Sequence, residues 1–100
     1  MNILSYINMV YMLSLMTIIK ILCNPKRLSI ISLLSENSEG LCVSDIAEKV
    51  KISQSLASHQ LSYLEARGVV ECERMGQTMC YKLTKSSLSK KLLAVIKLIN

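Results

Sequence analysis

The first 23 residues form an almost wholly apolar segment. Between Met1 and Cys23, 17 residues are apolar, and the polar ones are separated by three residues or a multiple of three: Asn2, Ser5, Asn8, Ser14, Thr17 and Lys20. On a helix of 3.6 residues per turn such a row winds around the cylinder, so the predicted helix is apolar on nearly all sides. A helix of this kind is buried in a protein interface or spans a membrane.

A second helix is predicted to begin at the Asn24-Pro25 pair and to run to about Ser35. Asn is a good N-cap residue, and Pro is favoured at the first helical position. A polar loop follows at residues 35–40. The residues expected to face inward from this helix are Leu28, Ile31 and either Leu33 or Leu34.

A helix-turn-helix is predicted over residues 44–67. The third helix begins with Ser44 as its N-cap and ends near Val50, and a tight turn at Lys51-Ile52 leads to a fourth helix capped by Ser53. Gly68 follows at the position of a C′ glycine, which ends the fourth helix at Arg67. Inward residues recur along the fourth helix at helical spacing: Leu56, Ala57, Gln60, Leu61 and Leu64.

After Gly68 the period of hydrophobic residues changes to two, which predicts a β-hairpin over residues 69–83. A turn at Met75-Gly76 pairs Cys72 with Met79 and Glu71 with Cys80, and it directs these residues inward: Val70, Cys72, Met79, Tyr81 and Leu83. A last helix is predicted over residues 85–98. The predicted fold class is mainly α with a small β-hairpin wing. It is a winged helix-turn-helix of about five helices and two antiparallel strands in a single domain over residues 1–100.

This arrangement favours DNA binding, because the second helix of such a pair fits the major groove and its N-terminal residues reach base edges. Gln can bond an adenine edge through both atoms of its amide, and Lys51 and the helix N-terminus suit phosphates. The tip of the hairpin, residues 74–78, is expected to lie on the DNA backbone or in the minor groove. A solvated helix face beside a structural hairpin is the alternative. The predicted DNA-facing residues are Lys51, Gln54, Ser55, Ser58, His59, Tyr63, Arg74 and Gln77.

The charge of the chain agrees with a polyanionic partner. The net charge is +5, from 12 basic and 7 acidic residues, and all the acidic residues lie between Glu36 and Glu73. A hydrophobic content of 51% is far too high for a disordered chain. His59 is the only histidine, and the sequence offers no nucleophile-base pair and no phosphate loop. We therefore expect a binding protein and not an enzyme.

The four cysteines are Cys23, Cys42, Cys72 and Cys80. The chain is rich in predicted helix, and Met1 is not followed by the basic stretch of a secretory signal. We therefore expect free thiols in a reducing compartment. In the predicted register, Cys72 and Cys80 lie on opposite faces of the hairpin and cannot pair, and Cys80 is an exposed thiol.

Three segments in the right order resemble the ArsR/SmtB family of metal-responsive repressors. They are "NPKRLSIISLL", "LCVSDIAEKVKISQSLASHQLSYLEARGVV" and "ERMGQTMCYKL", which together span residues 24–83. The resemblance implies a cytoplasmic homodimer held by the helices at residues 1–23 and 85–98. It also implies binding to inverted repeats of double-stranded DNA, and repression relieved by an inducer. Under this reading the apolar first helix is a dimer interface, and no membrane is expected.

The sequence departs from the family at the metal site. Many members carry Cys-x-Cys-x-Asp at the third helix, whereas this chain retains Cys42 and Asp45 and has Ser44 in place of the second Cys. Two ligands fall short of a tetrahedral site, so Cys42 and Asp45 are incomplete metal candidates. A thiophilic metal or a redox input through Cys42 is the expected form of any sensor. The last helix contains no Asp or His, which excludes the other common site of the family.

Two other functions are compatible with the same pattern. In one, the first helix spans a membrane and tethers the winged domain, and a soluble full-length protein would exclude this. In the other, the winged helix binds proteins and has lost DNA binding, and the absence of any salt-sensitive DNA affinity would favour this.

Overall fold

In the computed structural model, five helices and a three-stranded antiparallel sheet account for most of residues 2–99, the part of the chain that is described. Met1, where the predicted first helix begins, and Asn100 lie outside the described residues. The elements are α1 (Ile3–Leu22), α2 (Pro25–Ser35), β1 (Leu41–Cys42), α3 (Val43–Val50), α4 (Gln54–Ala66), β2 (Val70–Met75), β3 (Thr78–Leu83) and α5 (Ser87–Ile99). The mainly α winged helix-turn-helix fold is confirmed.

The helix ends follow from local capping chemistry. The Asn24 side-chain oxygen accepts hydrogen bonds from the backbone N–H groups of Lys26 and Arg27, at 2.9 and 3.2 Å, and starts α2 as predicted. The Ser53 hydroxyl accepts from the backbone N–H of Leu56 at 3.0 Å and starts α4. Gly68, with φ +75°, follows the end of α4.

The predicted N-cap of the third helix is wrong. Helix α3 begins at Val43, and its N-cap is Cys42, whose side chain makes no capping hydrogen bond. Residues Leu41 and Cys42 form the short strand β1, which the sequence analysis did not predict, and the helix starts directly after it. Strand β1 pairs with β3, so the sheet has the order β1-β3-β2.

The predicted register of the hairpin is also wrong. Met75 pairs with Thr78, so the two loop residues are Gly76 and Gln77, and Cys72 lies opposite Tyr81. Gly76 has a positive φ of +67° and occupies the first loop position, as a type II′ turn requires, and this fixes the register. Cys80 lies opposite Glu73, so Cys72 and Cys80 are on opposite faces of the hairpin, as predicted.

The core lies between α2, α3, α4, the sheet and α5. Its fully buried side chains include Ile30, Ile31, Leu34, Ile46, Leu61, Leu64, Val69 and Leu92. Two residues predicted to face inward do not: Leu56 is 37% exposed and Met79 is 40% exposed. Both lie at the edge of the core, where α4 and the wing extend beyond the packed elements.

Helix α1 lies largely outside this core. Ile21 is buried, and Ile18 and Leu22 are partly buried against the core, but the other large apolar side chains of α1 are exposed. By length and composition, Ile3–Leu22 is the one helix among residues 2–99 that could cross a membrane. A single copy of the chain therefore leaves an extensive apolar surface uncovered.

Gly40 positions β1, and its replacement by Ala tests that role. A Cβ at Gly40 (φ +94°) would lie 2.8 Å from the carbonyl oxygen of Tyr81, whereas a Cβ at Gly68 (φ +75°) meets nothing within 4 Å. We expect Gly68→Ala to lower the free energy of unfolding by about 1–2 kcal/mol through its backbone conformation alone. Gly40→Ala should cost at least about 1 kcal/mol more, because the backbone of β3 must also shift. Urea unfolding of both variants at one protein concentration measures this difference, and equal losses would contradict the role of Gly40.

Candidate nucleic-acid interface

The turn between α3 and α4 fixes the angle at which α4 leaves the core. Lys51 adopts a left-handed conformation, with φ +64°, and its side chain is exposed. The backbone N–H of Ile52 donates to the carbonyl of Ala47 at 3.0 Å, which closes the end of α3. Ser53 then caps α4, and the first turn of α4, which carries uncapped N–H groups, begins with the exposed residues Gln54 and Ser55, close in sequence to Lys51.

Helix α4 has one buried and one exposed face. Ala57, Gln60, Leu61 and Leu64 are buried. The other face exposes the predicted recognition residues Gln54, Ser55, Ser58 and His59. No acidic residue lies in its first turn, so nothing there repels a phosphate.

Ser62 is exposed on the same face of α4, and the sequence analysis missed it. Its spacing of four residues from Ser58 and seven from Ser55 places it on their side of the helix. That spacing is visible in the sequence and would have identified it.

A groove of about 240 Å³ brings the start of α4 together with the wing. Of the predicted residues, Gln54 and Ser58 line it from α4, and Gln77 lines it from the turn of the hairpin. Thr78, at the end of the predicted hairpin tip, also lines it, as does Ser44, which was not among the predicted DNA contacts. Burial, together with the neighbouring Cys72 thiol, raises the pKa of Tyr81 at this groove to about 12. A tyrosine phenol is already neutral near pH 7 at its ordinary pKa of about 10, so Tyr81 adds no negative charge there.

Four other predicted residues, Lys51, Ser55, His59 and Arg74, are exposed but do not line the groove. Lys51 lies at the turn before α4, and His59 lies one helical turn after Ser55 on α4. Arg74 lies near the tip of the wing, where its Nε donates to the carbonyl of Gly76 at 3.2 Å. This hydrogen bond holds the guanidinium group against the hairpin turn.

Tyr63, the last of the predicted residues, does not line the groove. It is half-buried between two guanidinium groups, whose carbons lie 4.0 Å (Arg27) and 3.3 Å (Arg67) from the centroid of its ring. Its hydroxyl oxygen is buried and has no hydrogen-bond partner among the described residues. We assign Tyr63 a packing role, because its ring faces arginines and not the groove.

Arg27 connects the end of α1 to α4. Its Nε donates to the carbonyl of Ile21 at 3.1 Å and its Nη2 to the carbonyl of Lys20 at 3.0 Å. Its Nη1 donates to the side-chain oxygen of Gln60 at 3.3 Å, which satisfies a buried amide of α4. Nothing in the sequence pattern distinguished Arg27 from other basic residues.

The cysteines depart from the expectation of four free thiols. Cys42 and Cys80 form a disulfide, so the predictions of free thiols at both positions and of an exposed Cys80 thiol are wrong. Strand β1 explains the error, because it places Cys42 directly opposite Cys80 on β3. Cys23 is a free, exposed thiol, and Cys72 is free and half-buried.

The residues present do not fit the family's metal centre. Within residues 2–99 no three His, Cys, Asp or Glu side chains lie close enough together to hold a metal ion. The sulfur of Cys42 is bonded to Cys80, and Asp45 is left as a single exposed carboxylate in the first turn of α3. A tetrahedral site needs four ligands, so this donor set is incomplete.

Comparison with known proteins agrees with this geometry. Residues 24–71 match the family model described as "Bacterial regulatory protein, arsR family". The HTH-type transcriptional regulator YbzH of Bacillus subtilis is 34% identical, over 73% of this chain and 86% of its own length. A homolog of the transcriptional repressor SmtB from Synechocystis is 39% identical over 62% of this chain, which spans 46% of that relative's length.

The solved structures agree as well. The homodimeric winged helix-turn-helix DNA-binding domain of Mb0332 from Mycobacterium bovis, described as a possible ArsR-family regulator, matches with a TM-score of 0.72. The match has 25% sequence identity and covers 92% of this chain and 82% of that one. The resemblance inferred from the three sequence segments is confirmed.

Proposed function

Because this chain belongs to the ArsR family of DNA-binding transcriptional regulators, we propose that it acts as a homodimeric repressor on inverted-repeat operators. Each protomer would place the N-terminal half of α4 in the major groove, and the two protomers would read the two half-sites. Such a regulator would bind chromosomal DNA in the cytoplasm.

The observation that carries this proposal is the shared groove. Gln54 and Ser58 on α4 and Gln77 on the wing line one surface, although about 20 residues of chain separate them. Amide and hydroxyl groups both donate and accept hydrogen bonds, so this set can contact base edges. A solvated helix face would not require the wing turn to meet it.

Charged groups at the edges of this surface would hold the DNA backbone. Lys51 and the free N–H groups of α4 suit a phosphate on one side, and Arg74 suits a phosphate at the wing. We propose Ser55 and His59 as further contacts from α4, because both are exposed on its outer face.

Helices α1 and α5 are the proposed dimer interface. The exposed apolar side chains concentrate on α1, and α5 ends in Leu98 and Ile99, which are 86% and 72% exposed. Association of two copies would remove this apolar surface from water. The homodimeric neighbour from M. bovis supports dimerisation.

The length and apolar composition of α1 favour one second candidate, a membrane-tethered regulator. Fractionation of cells that express the full chain separates the two: a dimer is recovered in the soluble fraction, and a tethered protein sediments with membranes and needs detergent for release.

The test of DNA binding is a selection of genomic fragments by the full chain, followed by mobility-shift titrations of the best fragment at several salt concentrations. We expect an inverted repeat and an affinity that falls steeply with salt, because Lys and Arg release counterions from the phosphates. An unenriched pool and no salt-sensitive binding would contradict the proposal and favour a protein-interaction module.

A further inference from the structure

We propose that the Cys42–Cys80 disulfide is a reversible thiol switch that holds the wing against the helix-turn-helix and thereby controls DNA affinity. This inference rests on the proposed function, and it identifies both the sensing thiols and the element that they move. Neither cysteine lines the groove between α4 and the wing.

The disulfide joins the two halves of the proposed DNA surface. Cys42 ends β1 and is the N-cap of α3, so it is fixed to the first helix of the helix-turn-helix. Cys80 lies within β3, one strand of the wing. Residues within two positions of them in sequence line the groove: Val43 and Ser44 after Cys42, and Met79 and Tyr81 on either side of Cys80.

Few other bonds tie β1 to the wing. Only two residue pairs connect β1 with β3, Leu41 with Tyr81 and Cys42 with Cys80, whereas six connect β2 with β3. A pairing this short contributes little by itself, so the covalent bond between Cys42 and Cys80 is the main link between β1 and the wing. The base of the wing is also held by Val70 and Tyr81, which are buried in the core.

The pair is suited to reversible chemistry. Both cysteines are half-buried, so a small thiol can reach the bond. The remaining thiols cannot readily replace either partner, because Cys72 faces the opposite side of the hairpin and Cys23 follows α1. Disulfides in a reducing cytoplasm are mostly transient, and many of them sense redox conditions.

The switch operates by thiol–disulfide exchange with a low-molecular-weight thiol such as glutathione. A thiolate attacks one sulfur, forms a mixed disulfide and releases the other cysteine as a thiolate, which takes up a proton. A second thiolate then displaces the remaining cysteine and leaves as part of the disulfide of the small thiol. The protein gains two electrons and two protons, and two small thiols are oxidised. The disulfide of the small thiol reverses both steps.

The oxidised form is expected to bind DNA more tightly. The disulfide ties the wing to α3 beside the groove that Gln77, Gln54 and Ser58 line, so less freedom is lost on binding. Reduction releases this constraint. An allosteric coupling of this kind changes affinity by about 5- to 150-fold, and we expect about tenfold here.

The experiment compares the full chain equilibrated with glutathione disulfide and with reduced glutathione, in mobility-shift titrations on the selected operator fragment. We expect about tenfold tighter binding by the oxidised chain. The difference should disappear in Cys42→Ser and in Cys80→Ser and persist in the matched control Cys72→Ser. Equal affinities, tighter binding by the reduced chain, or a difference that survives in Cys80→Ser would overturn the proposal.

A second measurement does not depend on an operator. Amide hydrogen exchange of the wing, residues 70–83, should be slower in the oxidised chain than in the reduced chain, and this difference should vanish in Cys80→Ser. If neither form binds DNA but oxidation slows amide exchange of the wing, the proposed function fails, whereas the redox control of the wing by the Cys42–Cys80 disulfide is supported. If exchange of the wing is the same in both forms, the switch itself is wrong.

Discussion

Replacing Gln54 and Ser58 together by Ala should weaken binding to the operator by about 100-fold, because a good base contact is worth roughly 1–3 kcal/mol. Both side chains are exposed and line the groove, and neither supports the core. Mobility-shift titrations of the wild-type and variant dimers on the same fragment measure the change. The dependence of affinity on salt should stay the same, since no phosphate contact is removed.

The matched control is Ser29→Ala with Ser38→Ala, because both serines are exposed and lie outside α4 and the wing. This control should bind as the wild type does. If the Gln54 and Ser58 variant also binds like the wild type while remaining folded and dimeric, the assignment of α4 as the recognition helix is incorrect.

The second large effect is expected at the proposed dimer interface on α1. Met12 and Met16 are 59% and 60% exposed on the outer side of α1, away from the buried Ile21. Changing both to Asp would place unpaired carboxylates in the interface, at a cost of several kcal/mol each. We expect the dimer dissociation constant to rise more than 100-fold and operator binding to fall by a similar factor. Sedimentation velocity over a range of protein concentrations detects the monomer.

Because both methionines face solvent in the single chain, the helical content should not change, and circular dichroism checks this. A control with Ser35→Asp and Ser38→Asp adds the same charge at exposed positions outside α1 and α5. A variant with both aspartates in α1 that remains dimeric would show that α1 is not the interface.

The helical part of the fold could be predicted from the sequence because its signals are local. Asn24 and Ser53 cap helices through hydrogen bonds to residues two or three positions away, and Gly68 takes the left-handed conformation after α4. The exposed row of Gln54, Ser55, Ser58 and His59 follows from helical spacing alone.

The features that were missed depend on contacts between distant residues. Strand β1 is two residues long, too short for an alternating pattern, and its partner lies 38 residues away along the chain. Without β1, nothing in the sequence indicates that Cys42 and Cys80 meet. The position of Tyr63 likewise depends on Arg27, which reaches it from a different helix.

The hydrogen bonds of Arg27 have a consequence for the distance between the two α4 helices of the proposed dimer. One guanidinium group donates to the carbonyls of Lys20 and Ile21 near the end of α1 and to the side chain of Gln60 in α4, so it links the proposed dimer helix directly to the proposed recognition helix. The distance between the two recognition helices of a dimer is then set by the protein and not by the DNA. The centres of two half-sites that are one helical turn apart are separated by about 34–36 Å. An inserted base pair lengthens this distance and also rotates one half-site around the DNA axis. Two α4 helices held at a fixed distance would bind an operator with an inserted base pair poorly, even when every contacted base is correct. The spacing of the half-sites would then contribute to specificity in addition to the base sequence.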